Sequence, residues 1–242
     1  MSNNLAIPDR ERIDAAEREL QAFSYIVSHD LAASFRQVAG FSQLLLSEFG
    51  DDLTSRQQTH ACHIRTATDK CQSMLEQLLV LSRVQQKVLS VQCLDATAIA
   101  QLAEFRLSAE IRAAGAEVSI VALGEVMADP HLLAQAFDSL LDNAIKFRVA
   151  GVAPRIVIQG TQDADFWRLR ISDNGPGVEP AYRDKAFGMF QRLNSEDAYA
   201  GVGAGLAICR RIARRHGGDA RFVDSDDGAC VELALPRAPI LQ

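Results

Sequence analysis

The sequence lacks any long apolar run, and it also lacks the patterns that mark secretion or cysteine cross-linking. No stretch reaches the ~18 consecutive apolar residues that a transmembrane helix requires, and the first 20 residues are too charged for a secretory signal. The five cysteines are odd in number and include no Cys-x-x-Cys pair, so neither a disulfide framework nor a zinc site is indicated. We expect them to be small buried hydrophobic residues. These absences predict a cytoplasmic protein with no membrane segment in this chain.

An excess of positive charge is also missing. The 25 lysines and arginines are outnumbered by 31 aspartates and glutamates, which gives a formal net charge of −6. Binding to a nucleic-acid backbone rewards a clustered positive surface, so a nucleic-acid partner is not expected. With 242 residues, of which 48% are hydrophobic, the chain is predicted to form one or two globular domains.

Proline is absent between Pro8 and Pro130, and this absence favours long helices in the first part of the chain. From Ile13 to Phe49, apolar or small residues recur in alternating steps of three and four, which is a heptad seam. The Gly50-Asp51-Asp52 segment is predicted to end this first helix.

A second helix is predicted from the capping-box pattern Thr54-x-x-Gln57 onward. Its own seam contains Ile64, Ala67, Cys71, Met74, Leu78 and Leu81. Two helices with a short connection form an antiparallel hairpin, but one hairpin cannot cover both seams. We therefore predict a homodimeric four-helix bundle.

After Gln86 the pattern changes to short strands with helices between them, which predicts an α+β chain with domains at 1–87 and 88–242. The predicted strands are Val88–Leu94, Glu117–Val121, Arg155–Gly160, Phe166–Ser172, Ala220–Asp224 and Cys230–Leu235. The predicted helices are Ala96–Ala114, His131–Phe147 and Gly205–His216, the second with an Asp129-Pro130 start. The glycine-rich stretch Asp173–Ala204 is predicted to be a long functional loop.

His29 falls between the seam positions Val27 and Leu31, so it is predicted to face solvent on the first helix. The neighbouring Asp30 could hold one ring nitrogen protonated and leave the other as a nucleophile. A surface histidine beside an aspartate is common. The pair therefore indicates phosphoryl transfer only if the chain also contains a phosphoryl donor site.

Three separated segments of the second domain suggest such a donor site. Asn143 and Lys146 lie three residues apart on one helical face, where an amide can bind Mg²⁺ and an ammonium can contact phosphate. Asp173 ends a strand and could accept a hydrogen bond from the exocyclic amine of adenine. The glycines Gly175 and Gly177, and those of the segment Gly201, Gly203 and Gly205, would let the backbone approach the ring and the phosphates. The glycines at 201, 203 and 205 alone could also form a flexible turn. The presence of all three segments in one domain is stronger evidence for a nucleotide site than any one of them.

Five segments resemble, in order and spacing, the H, N, G1, F and G2 boxes of bacterial sensor histidine kinases. They are FSYIVSHDLAASFRQ (Phe23–Gln37), LLDNAIKF (Leu140–Phe147), DNGPGV (Asp173–Val178), FGMFQRL (Phe187–Leu193) and GVGAGLAICRRIARRHGG (Gly201–Gly218). The short sequences SHDL, MFQRL and GLAICRRI within these segments look most like those of the kinase cores of bacteriophytochrome-type proteins. The resemblance implies a dimeric helical hairpin followed by an α/β-sandwich ATP-binding domain of the histidine kinase and gyrase type.

The resemblance also implies roles for single residues, with ATP and Mg²⁺ as cofactors and a response-regulator receiver as partner. His29 resembles the phospho-acceptor, Asp30 its acidic neighbour, and Arg192 the arginine that approaches the transferring phosphoryl group. Asn143 is similar to the magnesium ligand, Lys146 to a phosphate contact, and Asp173 to the adenine reader. The five glycines resemble the backbone of the nucleotide site and its lid, and Phe187 and Phe190 resemble hydrophobic pins of that lid, with plain core packing an equal alternative.

Two other functions stay open. A histidine phosphotransfer or scaffold protein with a degenerate ATP-binding domain is suggested by Ser139, Val202 and Ala204, which depart from the family pattern. A gyrase-type or chaperone-type ATPase would share the nucleotide motifs but gives no reason for a His-Asp pair on a dimeric hairpin. No sensor is visible in the sequence, so a separate or missing sensor module is expected.

Two basic features have ordinary explanations. Arg210, Arg211, Arg214 and Arg215 are predicted to form a solvated face of their helix. His216 precedes two glycines and is predicted to end that helix, where positive charge is favourable.

Overall fold

A computed structural model describes residues 31–49, 53–191 and 201–237. The predicted site residues His29, Asp30 and Arg192 lie outside these residues, as does the predicted helix end at 50–52. Contacts between Cα atoms divide the chain between Arg83 and Val84 into two compact units.

The first unit contains two helices, α1 over residues 31–49 and α2 over Ser55–Gln86. The predicted capping box at the start of α2 is confirmed: the Thr54 amide donates to Gln57 Oε1 over 2.8 Å, and the Gln57 amide donates to Thr54 Oγ1 over 3.4 Å. At ~1.5 Å per residue, α2 is about 48 Å long. The Ser42 hydroxyl donates to the Ala61 carbonyl over 3.4 Å and so connects α1 to α2.

Within the described residues, most apolar side chains of the predicted seams of α1 and α2 are exposed. Ala32 and Ser42 are the buried residues of α1, and Thr68 and Leu75 are buried on the part of α2 that belongs to the first unit. Large apolar side chains of the seams are exposed instead, namely Leu31, Val38, Phe41, Leu45, Ile64 and Leu78. Among the described residues, no helix combines the length and apolar character needed to cross a bilayer.

The second unit is built on a five-stranded sheet with the order β2-β4-β5-β7-β6. Its strands are β2 (Glu117–Ile120), β4 (Arg155–Gln162), β5 (Phe166–Asp173), β6 (Asp219–Val223) and β7 (Cys230–Pro236). Only the β2–β4 pair is parallel. A separate antiparallel pair joins β1 (Gln92–Asp95) to β3 (Glu125–Ala128).

Helices cover one face of the sheet and bury a single apolar core. They are α3 (Ala96–Arg106), α4 (Ser108–Ala114), α5 (Pro130–Lys146) and α6 (Gly205–Arg215). The predicted start of α5 is confirmed, since the Asp129 carboxylate accepts from the amides of His131 and Leu132. Alternate residues of β5 point into this core, as the sequence alternation predicts, and Trp167 there donates its ring N–H to the Leu123 carbonyl over 2.8 Å.

Several of the sequence predictions are wrong. The predicted helix Ala96–Ala114 is two helices, because α3 packs through Ala96, Ala100 and Ala103 whereas α4 buries no residue, and the chain changes course at Leu107. The strand β3, which pairs with β1, has no counterpart among the predicted strands. Cys62 and Cys93 are exposed, and only Cys209 and Cys230 are fully buried as expected of all five.

The basic residues of α6 are also less solvated than predicted. Arg214 is exposed, but Arg210 pairs with Asp184 and Asp219, and Arg215 binds backbone carbonyls. His216 does end α6, as predicted, but it is buried, and burial lowers its pKa, so that it carries no stabilising positive charge.

Candidate functional site

The three predicted segments of the second unit meet at one place, where α5 ends, β5 ends and α6 begins. A Cβ placed on Gly201 would lie 4.0 Å from Lys146 Nζ, and one placed on Gly205 would lie 3.7 Å from the Ser139 carbonyl of α5. On the other side, a Cβ on Gly175 would collide with the carbonyl oxygen of Phe147, directly after α5. We call this place the candidate site and assign to it Asn143, Lys146, Asp173, Gly175, Gly177, Gly201, Gly203 and Gly205.

The Asp173 carboxylate has two oxygens with different surroundings. Its Oδ1 accepts from the amides of Gly175, over 2.8 Å, and Ala229, over 3.2 Å. Its Oδ2 accepts no hydrogen bond from the described residues. Burial raises the pKa of Asp173, and the hydrogen bonds from the two amides oppose that shift only in part. The site therefore contains a largely buried carboxylate in a fixed direction, and its second oxygen can accept a hydrogen bond from a ligand.

Close backbone packing beside Asp173 explains two glycines. Gly177 has φ +70°, and a Cβ there would lie 2.9 Å from the Gly228 carbonyl. Gly228 has φ +61°, and its Cβ would collide with the Asp173 carbonyl. Sequence reasoning identified Gly177 but missed Gly228, whose only signal is its place in the Asp226-Asp227-Gly228 turn before a strand.

The end of α5 carries the positive charge of Lys146 and the side-chain amide of Asn143. Lys146 Nζ lies 2.6 Å from Asp142 Oδ2, one helical turn away, so the ammonium is held at the side of the site next to Gly201. Asp142 was missed by the sequence reasoning, although its i, i+4 spacing to Lys146 is a readable signal. The Asn143 side chain makes no hydrogen bond to the rest of the described chain.

The glycines before α6 adopt backbone conformations that other residues rarely take. Gly201 has φ +122° and Gly203 has φ +74°. Ala204 stands at the N-cap of α6 and provides no side-chain hydrogen bond to the first turn. The amides at the start of α6 therefore have no side-chain cap, and their partial positive charge suits an anion.

The two phenylalanines of the FGMF segment differ in their surroundings. Phe187 is buried, packs edge-on against Phe222 at 5.4 Å between ring centroids, and has the Arg210 guanidinium 4.9 Å from its ring centre. Phe190 is half-buried and is the one non-glycine residue with positive φ (59°) in the described ranges. Core packing thus accounts for Phe187, whereas Phe190 sits on a strained turn.

The residues of the candidate site fit ATP and Mg²⁺. Asp173 Oδ2 and the close backbone around Gly177 suit a flat ring with an exocyclic amine, and the glycines and Lys146 suit phosphate. The amide oxygen of Asn143 is of the type that Mg²⁺ prefers. Among the described residues, no group of three or more histidine, cysteine or acidic side chains is placed so that it could hold a metal ion.

Comparisons with known proteins agree with this arrangement. Residues 128–239 match the profile of the family described as histidine kinase-, DNA gyrase B-, and HSP90-like ATPase. Cyanobacterial phytochrome A of Nostoc sp. is 35% identical over 230 residues, which are 94% of this chain and 29% of that protein. The chain thus spans less than a third of the length of such relatives.

Two solved structures share the fold. Full-length ShkA in complex with AMPPNP matches 92% of this chain and 47% of ShkA, with a TM-score of 0.64 and 23% identity. The histidine kinase ThkA in complex with the response regulator protein TrrA matches 98% of this chain and 69% of ThkA, with a TM-score of 0.65 and 16% identity. The profile match contains every residue of the candidate site, so residues 128–239 belong to the histidine kinase-, DNA gyrase B-, and HSP90-like ATPase family, and across both units the chain is similar to the catalytic cores of phytochrome-like and sensor proteins.

Proposed function

We propose that this chain is an ATP-dependent protein-histidine kinase that phosphorylates itself on His29 and passes the phosphoryl group to an aspartate of a response-regulator receiver domain. The observation that carries this proposal is the convergence of the three segments at the end of α5, beside the largely buried Asp173 carboxylate, whose second oxygen has no described partner. Residues 1–87 would form the dimerisation and phosphotransfer domain, and residues 88–242 the catalytic domain.

The candidate site would bind ATP through groups that differ at its two ends. Asp173 Oδ2 accepts from the adenine amine, while Gly175 and Gly177 keep the backbone close to the ring. At the other end Lys146 and the amides around Gly201, Gly203 and Gly205 meet the phosphates. Lys146 can leave Asp142 for a phosphate oxygen at little loss, because an exposed ion pair contributes only about 0.2–1 kcal/mol.

Asn143 would hold Mg²⁺ through its amide oxygen. The ion, when bound, neutralises charge on the phosphates during transfer. The Asn143 amide is available for this role because none of the described side chains engages it.

The transfer itself would use residues outside the described ranges. One ring nitrogen of His29 attacks the γ-phosphorus, a P–N bond forms, and the bond to the oxygen that leaves with ADP breaks. Asp30 orients the imidazole and accepts its other proton, and Arg192 offers positive charge to the phosphoryl oxygens. The phosphoryl group then passes from His29 to a carboxylate of the receiver, and the TrrA complex of ThkA supports a partner of this class.

A homodimer completes the proposal. The exposed apolar side chains of α1 and α2 need a second surface, and a copy of the same hairpin would cover them in a four-helix bundle. The stimulus would come from a separate or additional sensor module, and we place the reaction in the cytoplasm, where ATP is available.

The test is incubation of the purified chain with γ-labelled ATP and Mg²⁺, beside His29→Gln and Asn143→Ala. We expect label that is acid-labile and alkali-stable, and that is absent from both variants. Asp165→Asn is a matched control, because Asp165 is exposed in the β4–β5 turn and its side chain has no described partner. Persistence of the label in His29→Gln would contradict the assigned acceptor.

A histidine phosphotransfer or scaffold protein is the second candidate. It is favoured by Ala204, which leaves the start of α6 without a side-chain cap, and by Ser139 and Val202, which depart from the family pattern. The unmodified chain would then bind no nucleotide but would accept a phosphoryl group on His29 from a phosphorylated receiver.

A further inference from the structure

The end of α2 and the residues after it are held by a partly buried polar cluster in the second unit. We call this cluster the joint and define it by Lys87, Asp129, Arg215 and His216. Asp129 is fully buried and His216 is 7% exposed. Buried polar groups need hydrogen-bond partners, and the polar atoms of Asp129 and His216 have them.

Arg215 binds the backbone at the end of α2 through three carbonyl oxygens. Its Nη1 donates to Val84 over 2.5 Å and to Gln85 over 2.6 Å, and its Nη2 donates to Lys87 over 2.9 Å. The last carbonyls of a helix lack partners within the helix, so the guanidinium acts as the C-terminal cap of α2. Because the acceptors of Arg215 are backbone carbonyls, these hydrogen bonds hold the main chain itself in place.

Asp129 holds the same segment from the other side. Its carboxylate lies 2.5 Å from Lys87 Nζ and accepts from the Ser90 amide over 3.1 Å, in addition to capping α5. Its own amide donates to His216 Nε2 over 3.0 Å, while His216 Nδ1 lies 2.8 Å from the Ile212 carbonyl. A carbonyl can only accept, so Nδ1 carries the proton and the ring is neutral.

Both helices that frame the candidate site reach the joint with their opposite ends. The helix α5 begins at Asp129 in the joint and ends with Asn143 and Lys146 in the site. The helix α6 begins at Gly205 in the site and ends with Arg215 in the joint. The two helices pack on each other, and α6 is about 16 Å long. Two packed rigid elements thus connect the site to residues 84–90.

We infer that Arg215 is a positioning residue that couples nucleotide binding at the candidate site to the order of residues 84–90 at the end of α2. The inference rests on the proposed nucleotide binding and adds its route to α2. A nucleotide that contacts the start of α6 and the end of α5 reduces the motion of both helices. Because Arg215 and Asp129 bind residues 84–90, the motion of these residues is reduced as well. Linkage requires the reverse effect, so that loss of the joint weakens nucleotide binding by the same factor.

Amide hydrogen exchange on the full chain, with and without Mg²⁺ and AMPPNP, tests the coupling. In the unmodified chain, we expect the nucleotide to slow exchange at residues 84–90. In Arg215→Gln this response disappears and the AMPPNP dissociation constant rises about fivefold, at the lower end of typical coupling. Arg215→Lys should restore the response only in part, because one ammonium cannot reproduce a planar guanidinium that serves three carbonyls.

Arg214→Gln is the matched control, since Arg214 is the neighbouring residue of α6, is exposed, and pairs with Asp219 instead. It should keep both the exchange response and the affinity. Lys87→Gln provides a second break of the joint that leaves α6 unchanged, and fluorescence of Trp167 verifies that each variant is folded. Binding of AMPPNP with unchanged exchange at residues 84–90 would overturn the coupling alone. Absence of binding in the unmodified chain would overturn the proposed function and the coupling with it.

Discussion

At the scale of single residues, Asp173 shows how a site residue can oppose stability. Burial raises the pKa of this carboxyl, so its ionised form is less favourable in the folded chain than in the unfolded one. At neutral pH the charge therefore lowers the free energy of unfolding, and it does so less as the pH falls through the raised pKa. A carboxylate that costs stability in this way fits the ligand-binding role that we propose for Asp173.

We expect Asp173→Asn to lower nucleotide affinity at least tenfold and to leave the unliganded chain as stable as before or more so. The amide oxygen can still accept from Gly175 and Ala229, but an NH₂ group at the Oδ2 position would face the adenine amine, donor against donor. Calorimetric titration with Mg²⁺ and AMPPNP and urea unfolding followed by Trp167 fluorescence give the two quantities. Asp165→Asn should change neither, and equal affinity of Asp173→Asn and the unmodified chain would remove Asp173 from the site.

His216 gives the second unit a pH dependence with a definite sign. Burial lowers its pKa below the ordinary value of 6.5, and the charges of Lys87 and Arg215 act in the same direction while Asp129 opposes them. The unfolded chain therefore binds the proton first as the pH falls from 7 to 5, and the free energy of unfolding decreases.

His216→Gln should lower the free energy of unfolding at pH 7.5 by about 1–3 kcal/mol, because the buried Asp129 amide loses a well-placed acceptor. The gap between this variant and the unmodified chain should narrow toward pH 5. Urea unfolding of the second unit, followed by its single tryptophan, measures both. His131 is exposed at the start of α5, so His131→Gln is the control and should stay within about 0.5 kcal/mol of the unmodified chain at pH 7.5. A gap that stays constant with pH would show that His216 does not titrate in this range.

At the scale of elements, periodicity and capping residues predicted most of the second unit. The strands β4, β5, β6 and β7 lie within two residues of their predicted bounds, because alternation and flanking turns are local signals. The strand β3 was missed because its partner, β1, comes to lie beside it only in the fold. The break at Leu107 was missed because no glycine or proline marks it, and the change of packing from α3 to α4 is tertiary.

The candidate site shows the same division between local and tertiary information. Asn143, Lys146 and Asp173 could be predicted because their types and spacing match a known chemistry. Gly228 and the Arg215 contacts could not, because each depends on an approach between segments more than 50 residues apart. Sequence reasoning even predicted a solvated Arg215, since a charge on a helix face gives no sign of the carbonyls it will meet.

One buried carboxylate connects three neighbouring antiparallel strands of the sheet, β5, β7 and the edge strand β6. Glu232 of β7 is 1% exposed and lies opposite Arg170 of β5 and Arg221 of β6, which donate to it over 2.9 Å and 2.8 Å. Burial alone would raise the pKa of Glu232, but the hydrogen bonds from the two arginines outweigh it and the pKa is lowered. The carboxylate thus bridges three strands on the face opposite the helices.

Glu232→Ala should lower the free energy of unfolding of the second unit by about 2 kcal/mol. A fully buried pair would lose about 3–5 kcal/mol, but Arg170 and Arg221 remain partly exposed and can turn to water. Glu232→Gln should lose less, because its amide oxygen still accepts. Glu117→Ala, on the exposed edge strand β2, is the control and should stay within about 0.5 kcal/mol of the unmodified chain. A loss in Glu232→Ala as small as that of the control would mean that the bridge contributes nothing measurable.

At the scale of the whole molecule, the two units expose apolar surface in different ways. On α1 the exposed side chains recur at heptad spacing, with Val38, Phe41 and Leu45 in one stripe. On α3 the exposed Leu102 and Phe105 lie on a short helix without such a repeat. A continuous stripe can be covered by a second copy of itself under twofold symmetry, whereas a single pair of exposed side chains on a short helix forms no such stripe.

Phe41→Glu should therefore convert a dimer into a monomer. Phe41 is 68% exposed in the single chain, and a carboxylate placed in the seam of a four-helix bundle would meet its symmetry mate across an apolar core. Light scattering during size-exclusion chromatography should give twice the 26.4 kDa chain mass for the unmodified protein and once that mass for the variant. Phe105→Glu is the matched control, because Phe105 is even more exposed, at 77%, but lies outside the stripe, and this variant should remain dimeric. A monomeric unmodified chain, or loss of the dimer in Phe105→Glu alone, would move the interface away from α1.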